Sequence, residues 1–303
     1  MSKKRCIIFL ALTFVLTWVY CLAFVYPYVE TSSAEELSML QLRIAATMFI
    51  PAICVVITRL LTKEGFQNHM IKPNLKGNIK TYLLAYFGPS VLTLFGGVVF
   101  FLIFPNQFDI NCGYLLKSYE ALGVDLKTMP MPANMLMLSQ GITAILFGPI
   151  VNFVTCFGEE WAWRGYMVPK MAENMKTVPM LLVSGVIWGL WHAPLTIVGH
   201  NYGMGYWGYP FTGILAMCLF CTMIGIFMSY ITLKTKSCIP AVLAHGAINA
   251  FASIGIYFTK DGGNVFVGPA PTGVVGMIGF IVLDIFLVRA LMKQENNTKV
   301  EIE

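Results

Sequence analysis

Three short segments of this chain hold the residues whose types and spacing could do chemistry: Glu159-Glu160 with Arg164, Trp188 with His192, and His245 with Asn249. On a helix Glu160 and Arg164 stand four apart and face each other, so that pair can neutralise itself. Glu159 points about 100° away and has no partner within its own segment. A carboxylate among Phe157, Trp161 and Trp163 is poorly solvated, which suits a proton acceptor. The competing reading is a solvated belt of acids, Trp and Arg at the lipid headgroups.

His245 and Asn249 share one helix face, and an imidazole and a carboxamide there can aim two donors at one developing oxyanion. His192 lies on another apolar segment, whereas His69 and His200 fall in loops. Gly185 and Gly189 form a G-x-x-x-G that lets the His192 helix approach a neighbour closely. Glu159, His192 and His245 also make an acceptable catalytic zinc set of one carboxylate and two imidazoles. Against zinc, the chain has no H-E-x-x-H, and no outer carboxylate is evident except Asp284, which could equally pair with Arg289 or turn inward.

The elements that must position these groups are written in the composition. Of 303 residues 57% are hydrophobic and 12% charged, with a mean hydropathy of +0.71. A soluble domain carries about 25% charged residues, so this chain cannot cover a water-facing surface. Runs long enough to cross about 30 Å of hydrocarbon are expected over 7–28, 44–61, 79–105, 135–157, 179–199, 211–233, 238–258 and 268–292. They do not alternate, which favours an all-α, polytopic bundle of about eight transmembrane helices over a barrel. The first run exceeds the apolar length of a signal peptide and is read as a retained helix. One integral membrane domain is expected over 1–303, with a frayed tail after Lys293. A kink is possible at Pro149.

Alternating crossings leave Arg43, Lys117, Lys127 and Lys260 on one side and the other sixteen of the 20 Lys and Arg on the opposite side. The basic side is read as cytoplasmic and both termini are placed there. The net charge of +5 then reflects topology and anionic lipid, and implies no nucleic-acid partner. The eight cysteines lie mostly in apolar runs, where thiols pack as small hydrophobes; no disulfide framework is expected. If Pro179 marks the start of the fifth run, His192 lies roughly 20 Å along it, while His245 lies only about 10 Å past Cys238, a mismatch of depth.

The ordered set Glu159-Glu160-x-x-x-Arg164, Trp188-x-x-x-His192 and His245-x-x-x-Asn249 resembles the CAAX prenyl protease family, also called the CPBP or Abi family, whose best-known branch is Rce1-like. The likeness covers about 140–258. One departure is Trp188, where the family pattern usually has Phe. The resemblance implies an intramembrane glutamic endopeptidase in a cell membrane, or an ER-type membrane in a eukaryote. Its substrate would be a lipid-anchored, CAAX-type prenylated or membrane-embedded protein, cut near the C-terminus and reached from the cytoplasmic side. Carried over, Glu159 with His192 would activate water, His245 and Asn249 would form the oxyanion hole, and Glu160 and Arg164 would be structural, with no cofactor. The alternatives are a zinc-dependent version of the same protease, an immunity protein, or a non-hydrolytic membrane binder or transporter using the polar cluster as a ligand site.

Overall fold

The computed structural model describes residues 2–30 and 34–300. The helices in chain order are α1 Ser2–Tyr20, α2 Ala34–Ala46, α3 Ile50–Leu61, α4 Ile79–Ile103, α5 Gly113–Ala121, α6 Ala133–Val151, α7 Phe153–Ala162, α8 Val168–Ala172, α9 Thr177–Trp191, α10 Ala193–Thr196, α11 Phe211–Thr235, α12 Ile239–Phe251, α13 Ile254–Tyr257 and α14 Ile278–Val300. Among the described residues there is no sheet, only two isolated bridges. The molecule is a polytopic membrane helical bundle. In lipid every backbone N–H and C=O must be satisfied internally, and helices do this within one segment.

Among the described residues six helical segments are long and apolar enough to cross a membrane: Ser2–Tyr28, Glu35–Leu61, Ile79–Ile103, Ala133–Val151, Phe211–Thr235 and Ile239–Tyr257. Two of the eight expected runs take another form. The run at 179–199 is a 15-residue apolar helix, Thr177–Trp191, that breaks at His192. Pro194 follows two residues later, and its missing N–H and fixed φ reset the helix there. The run at 268–292 is helical only from Ile278, and that helix continues past Lys293 to Val300 where fraying was expected. The fourth run breaks at Asn152, whose side-chain amide donates to the carbonyls of Gly148 and Gly246 at 3.0 and 3.3 Å, just beyond Pro149.

The two ends of the bundle are fixed by hydrogen bonds between loops. At the basic end Cys238 N–H donates to Met70 C=O, Asn74 reaches Thr235 C=O, and Glu64 pairs with Lys170. At the other end Asp109 N–H donates to Phe258 C=O, Lys260 N–H to Gln107 C=O, and Tyr202 stacks on Phe266. The core lies between them around α9, α11 and α12. A β-carbon on Gly185 would overlap Thr222, and one on Gly189 would overlap the backbone of Cys218, so the expected close approach is made by α9 on α11. Lipid-facing positions remain apolar, as at Leu102 and Val151.

Candidate active site

The break at Asn152 separates α7 from α6 and turns Glu159 and Glu160 inward, where they are 2% and 0% exposed. A single wide turn, Trp163–Met167, follows α7 and carries Arg164, also 2% exposed. Such π-type turns are a common way to aim a side chain at a functional site. Arg164 Nη1 donates to Glu160 Oε1 at 3.0 Å, the pairing expected from spacing.

Glu160 also does something the spacing did not indicate. Its Oε1 lies 2.9 Å from His245 Nδ1, so one carboxylate oxygen joins Arg164 and His245 while Oε2 is buried without a partner. Sequence reading found no outer carboxylate for the histidines beyond Asp284; Glu160 is one. Asp284 is buried on α14, and both of its oxygens lack a hydrogen-bond partner.

Glu159 was expected to have no local partner, and the donor comes from another helix. Trp188 Nε1–H donates to Glu159 Oε2 at 2.7 Å. The guanidinium of Arg164 lies over the same indole, 3.9 Å from its centroid. Arg164 therefore braces both carboxylates, Glu160 directly and Glu159 through the Trp188 ring.

The break at His192 points its ring back into the bundle. His192 Nδ1 lies 2.9 Å from Trp188 C=O, which can only accept, so Nδ1 carries the proton and Nε2 remains for the cavity. His245 is held the same way, but against a carboxylate. The Trp188 ring stands between the two imidazoles, with centroid separations of 5.7 Å to His192 and 5.5 Å to His245. The start of α12 moves inward, since Ser237 and Cys238 are fully buried beneath the 62–78 loop.

Glu159, His192, His245 and Asn249 all line one cavity of about 300 Å³. Its walls combine apolar side chains such as Ile44, Met48, Met217, Phe220 and Ile248 with polar ones such as Asn201, Ser253 and Thr272. The Asn249 amide donates to Cys156 Sγ at 3.6 Å, a weak bond that leaves its second N–H free. Two residues of the cavity had no role assigned from sequence: Trp188, named in the motif set without a partner, and His200, set aside as a loop residue. Among the described residues no three His, Cys, Asp or Glu side chains form a group that could hold a metal ion.

Fold and site together define a class: a multi-pass helical membrane protein with a buried Glu–Arg–His cluster whose histidine reaches a cavity lined by both polar and apolar side chains. Residues 141–251, which carry all seven motif residues, match the family described as type II CAAX prenyl endopeptidase Rce1-like. The CAAX prenyl protease 2 of Methanococcus maripaludis is 30% identical over 166 residues, covering 46% of this chain and 61% of that protein. The resemblance drawn from the motifs is therefore shown on the core of the chain, and the match falls short of two thirds of the relative's length.

Proposed function

We propose that this protein is a CAAX-type intramembrane endopeptidase, hydrolysing a peptide bond of a lipid-anchored or membrane-embedded substrate with water activated by Glu159 and His192. The observation that carries this reading is the partnering of the two imidazoles. His192 Nδ1 faces a neutral carbonyl, so its Nε2 is a lone pair able to accept a proton from water beside Glu159. His245 Nδ1 faces the Glu160 carboxylate, and with both ring nitrogens protonated its Nε2–H donates to an oxyanion together with Asn249. The apolar part of the lining, Ile44, Met48, Phe220 and Ile248 among it, suits a lipid-tethered chain, and the similarity to a protein named CAAX prenyl protease 2 supports the same substrate class.

Hydrolysis proceeds in two movements of protons. Water loses a proton to the Glu159/His192 pair as its oxygen bonds to the scissile carbonyl carbon, and the oxyanion is met by His245 and Asn249. The tetrahedral centre then collapses, the C–N bond breaks, and the proton passes to the leaving amine. The test is reconstitution of the purified chain with a library of prenylated tetrapeptide tails, each paired with its unprenylated form, with and without chelator. The reading expects cleavage of prenylated or otherwise lipid-tethered members, unaffected by chelation. Activity lost on chelation and restored by zinc would replace the water-activation scheme, and binding without cleavage of any member would favour a membrane binder.

A further inference from the structure

A second cavity, of about 300 Å³, lies between α1, the α8 segment and α9, and shares no lining residue with the candidate active site. Three polar side chains line it: Lys3, Lys170 and Asn174. Most of the remaining lining is apolar, with Ile7 and Leu10 of α1, Met171 and Met175 at and beyond the end of α8, and Ile187 of α9.

The two kinds of lining are sorted along the helices. Lys3 and Leu10 are seven residues apart on α1, about 10 Å of rise. Lys170 and Asn174 precede α9, whereas Ile187 lies ten residues past its first residue, about 15 Å along it. The polar layer on each side of a bilayer is about 5–8 Å deep, so such a lining crosses from headgroups into hydrocarbon. Ile7 is 58% exposed, which puts lipid at the flank of the cavity.

The charge around the polar part is unbalanced. Glu64 pairs with Lys170, accepts from the Tyr166 hydroxyl at 2.9 Å, and has Arg5 at 3.7 Å and Arg59 at 4.0 Å. One carboxylate thus serves three cations. The exposed Lys3 ammonium has no partner among the described residues. Glu173, three residues beyond Lys170, lines a different cavity together with Lys176. Asn174 donates to Ser2 Oγ at 2.9 Å, tying this loop to the start of α1 beside Lys3. A second anion here would relieve the repulsion of an excess of like charge.

We propose that this cavity holds an anionic phospholipid, with its phosphate at Lys3 and Lys170 and the upper part of an acyl chain along Ile7, Leu10 and Ile187. A free phosphate would satisfy the lysines and leave the apolar lining unused, and a neutral lipid would do the reverse. Basic pockets between spanning helices are suited to anionic headgroups for the same reason. The lipid would also brace the candidate site from outside. Phe9 of α1 packs edge-on against Trp163 and Tyr166, with ring centroids at 5.6 and 5.5 Å, and these two flank Arg164 in the wide turn. A ligand joining Lys3 to Lys170 holds α1 against that turn. The proposal does not rest on the peptidase reading.

The test is native mass spectrometry of the full chain released from nanodiscs made of an equal mixture of phosphatidylcholine and phosphatidylglycerol, comparing wild type with Lys3→Gln and Ile7→Trp. Both positions are exposed on α1, and thermal unfolding of each variant in detergent checks that it folds. The expected result is phosphatidylglycerol retained by the wild type in preference to phosphatidylcholine. Retention should fall about fivefold in Lys3→Gln, the effect of one basic residue beside an anionic lipid surface. It should also fall in Ile7→Trp, which crowds the apolar part and leaves the charge unchanged. Glycerol phosphate, the headgroup without chains, should not displace the lipid. Equal retention of the two lipids, unchanged retention in either variant, or displacement by glycerol phosphate overturns the proposal. Failure here leaves the peptidase reading standing, because the measurement needs no turnover.

Discussion

The indole N–H of Trp188 donates to Glu159 Oε2 at 2.7 Å, joining two residues 29 apart in sequence and on different helices. The bond fixes one carboxylate oxygen and leaves the other for water. The family pattern usually has Phe at this position, which keeps the ring but has no donor.

Trp188→Phe therefore separates the hydrogen bond from the aromatic packing. A hydrogen bond to a charged group contributes about 1.5–3 kcal/mol, so cleavage should fall about 10- to 100-fold. Single-turnover rates on a lipid-tethered peptide measure it. An unchanged rate would mean that Glu159 needs no help from the indole.

Glu160→Gln should lower both stability and activity. It leaves Arg164 buried without a charge partner and His245 without a carboxylate. Breaking a buried pair by removing one partner costs about 3–5 kcal/mol. Thermal unfolding in detergent should show a large drop in Tm, and a Tm equal to the wild type would show that the cluster contributes little.

Glu64 supplies a pH dependence outside the spanning segments. Burial pushes its carboxyl up, but hydrogen bonds from Lys170 and Tyr166 and the charges of Lys170 and Arg59 outweigh this and hold it below the usual range. A group depressed on folding adds stability above its unfolded pKa of about 4.3, and that stability is lost as pH falls through the folded value. Glu64→Gln should be less stable than wild type near neutral pH, and the gap should close in acid. Unfolding of the pair across pH would contradict this if the gap were constant.

Much of this was legible in the sequence. Lipid demands long apolar helices, and the runs followed from composition alone. The breaks at Asn152 and His192 were not legible, because each depends on one side-chain amide or one proline inside an otherwise continuous run. The candidate site residues were chosen by type and spacing, since Glu160–Arg164 and His245–Asn249 are i,i+4 pairs. Their partners across helices, Trp188 to Glu159 and Glu160 to His245, have no local signal. His200 was passed over because its loop folds back on the cavity. Gly199 at φ +87 and Asn201 at φ +68 bracket it, and such turn residues were the available hint.

The central claim is that Glu159 together with His192 activates water, and the most direct measurement is the single-turnover cleavage rate of Glu159→Gln against wild type, with substrate binding measured on the same samples. General base catalysis contributes about 10²–10⁴-fold, so the account predicts a loss of that size with binding retained. Equal cleavage by the two proteins would contradict it.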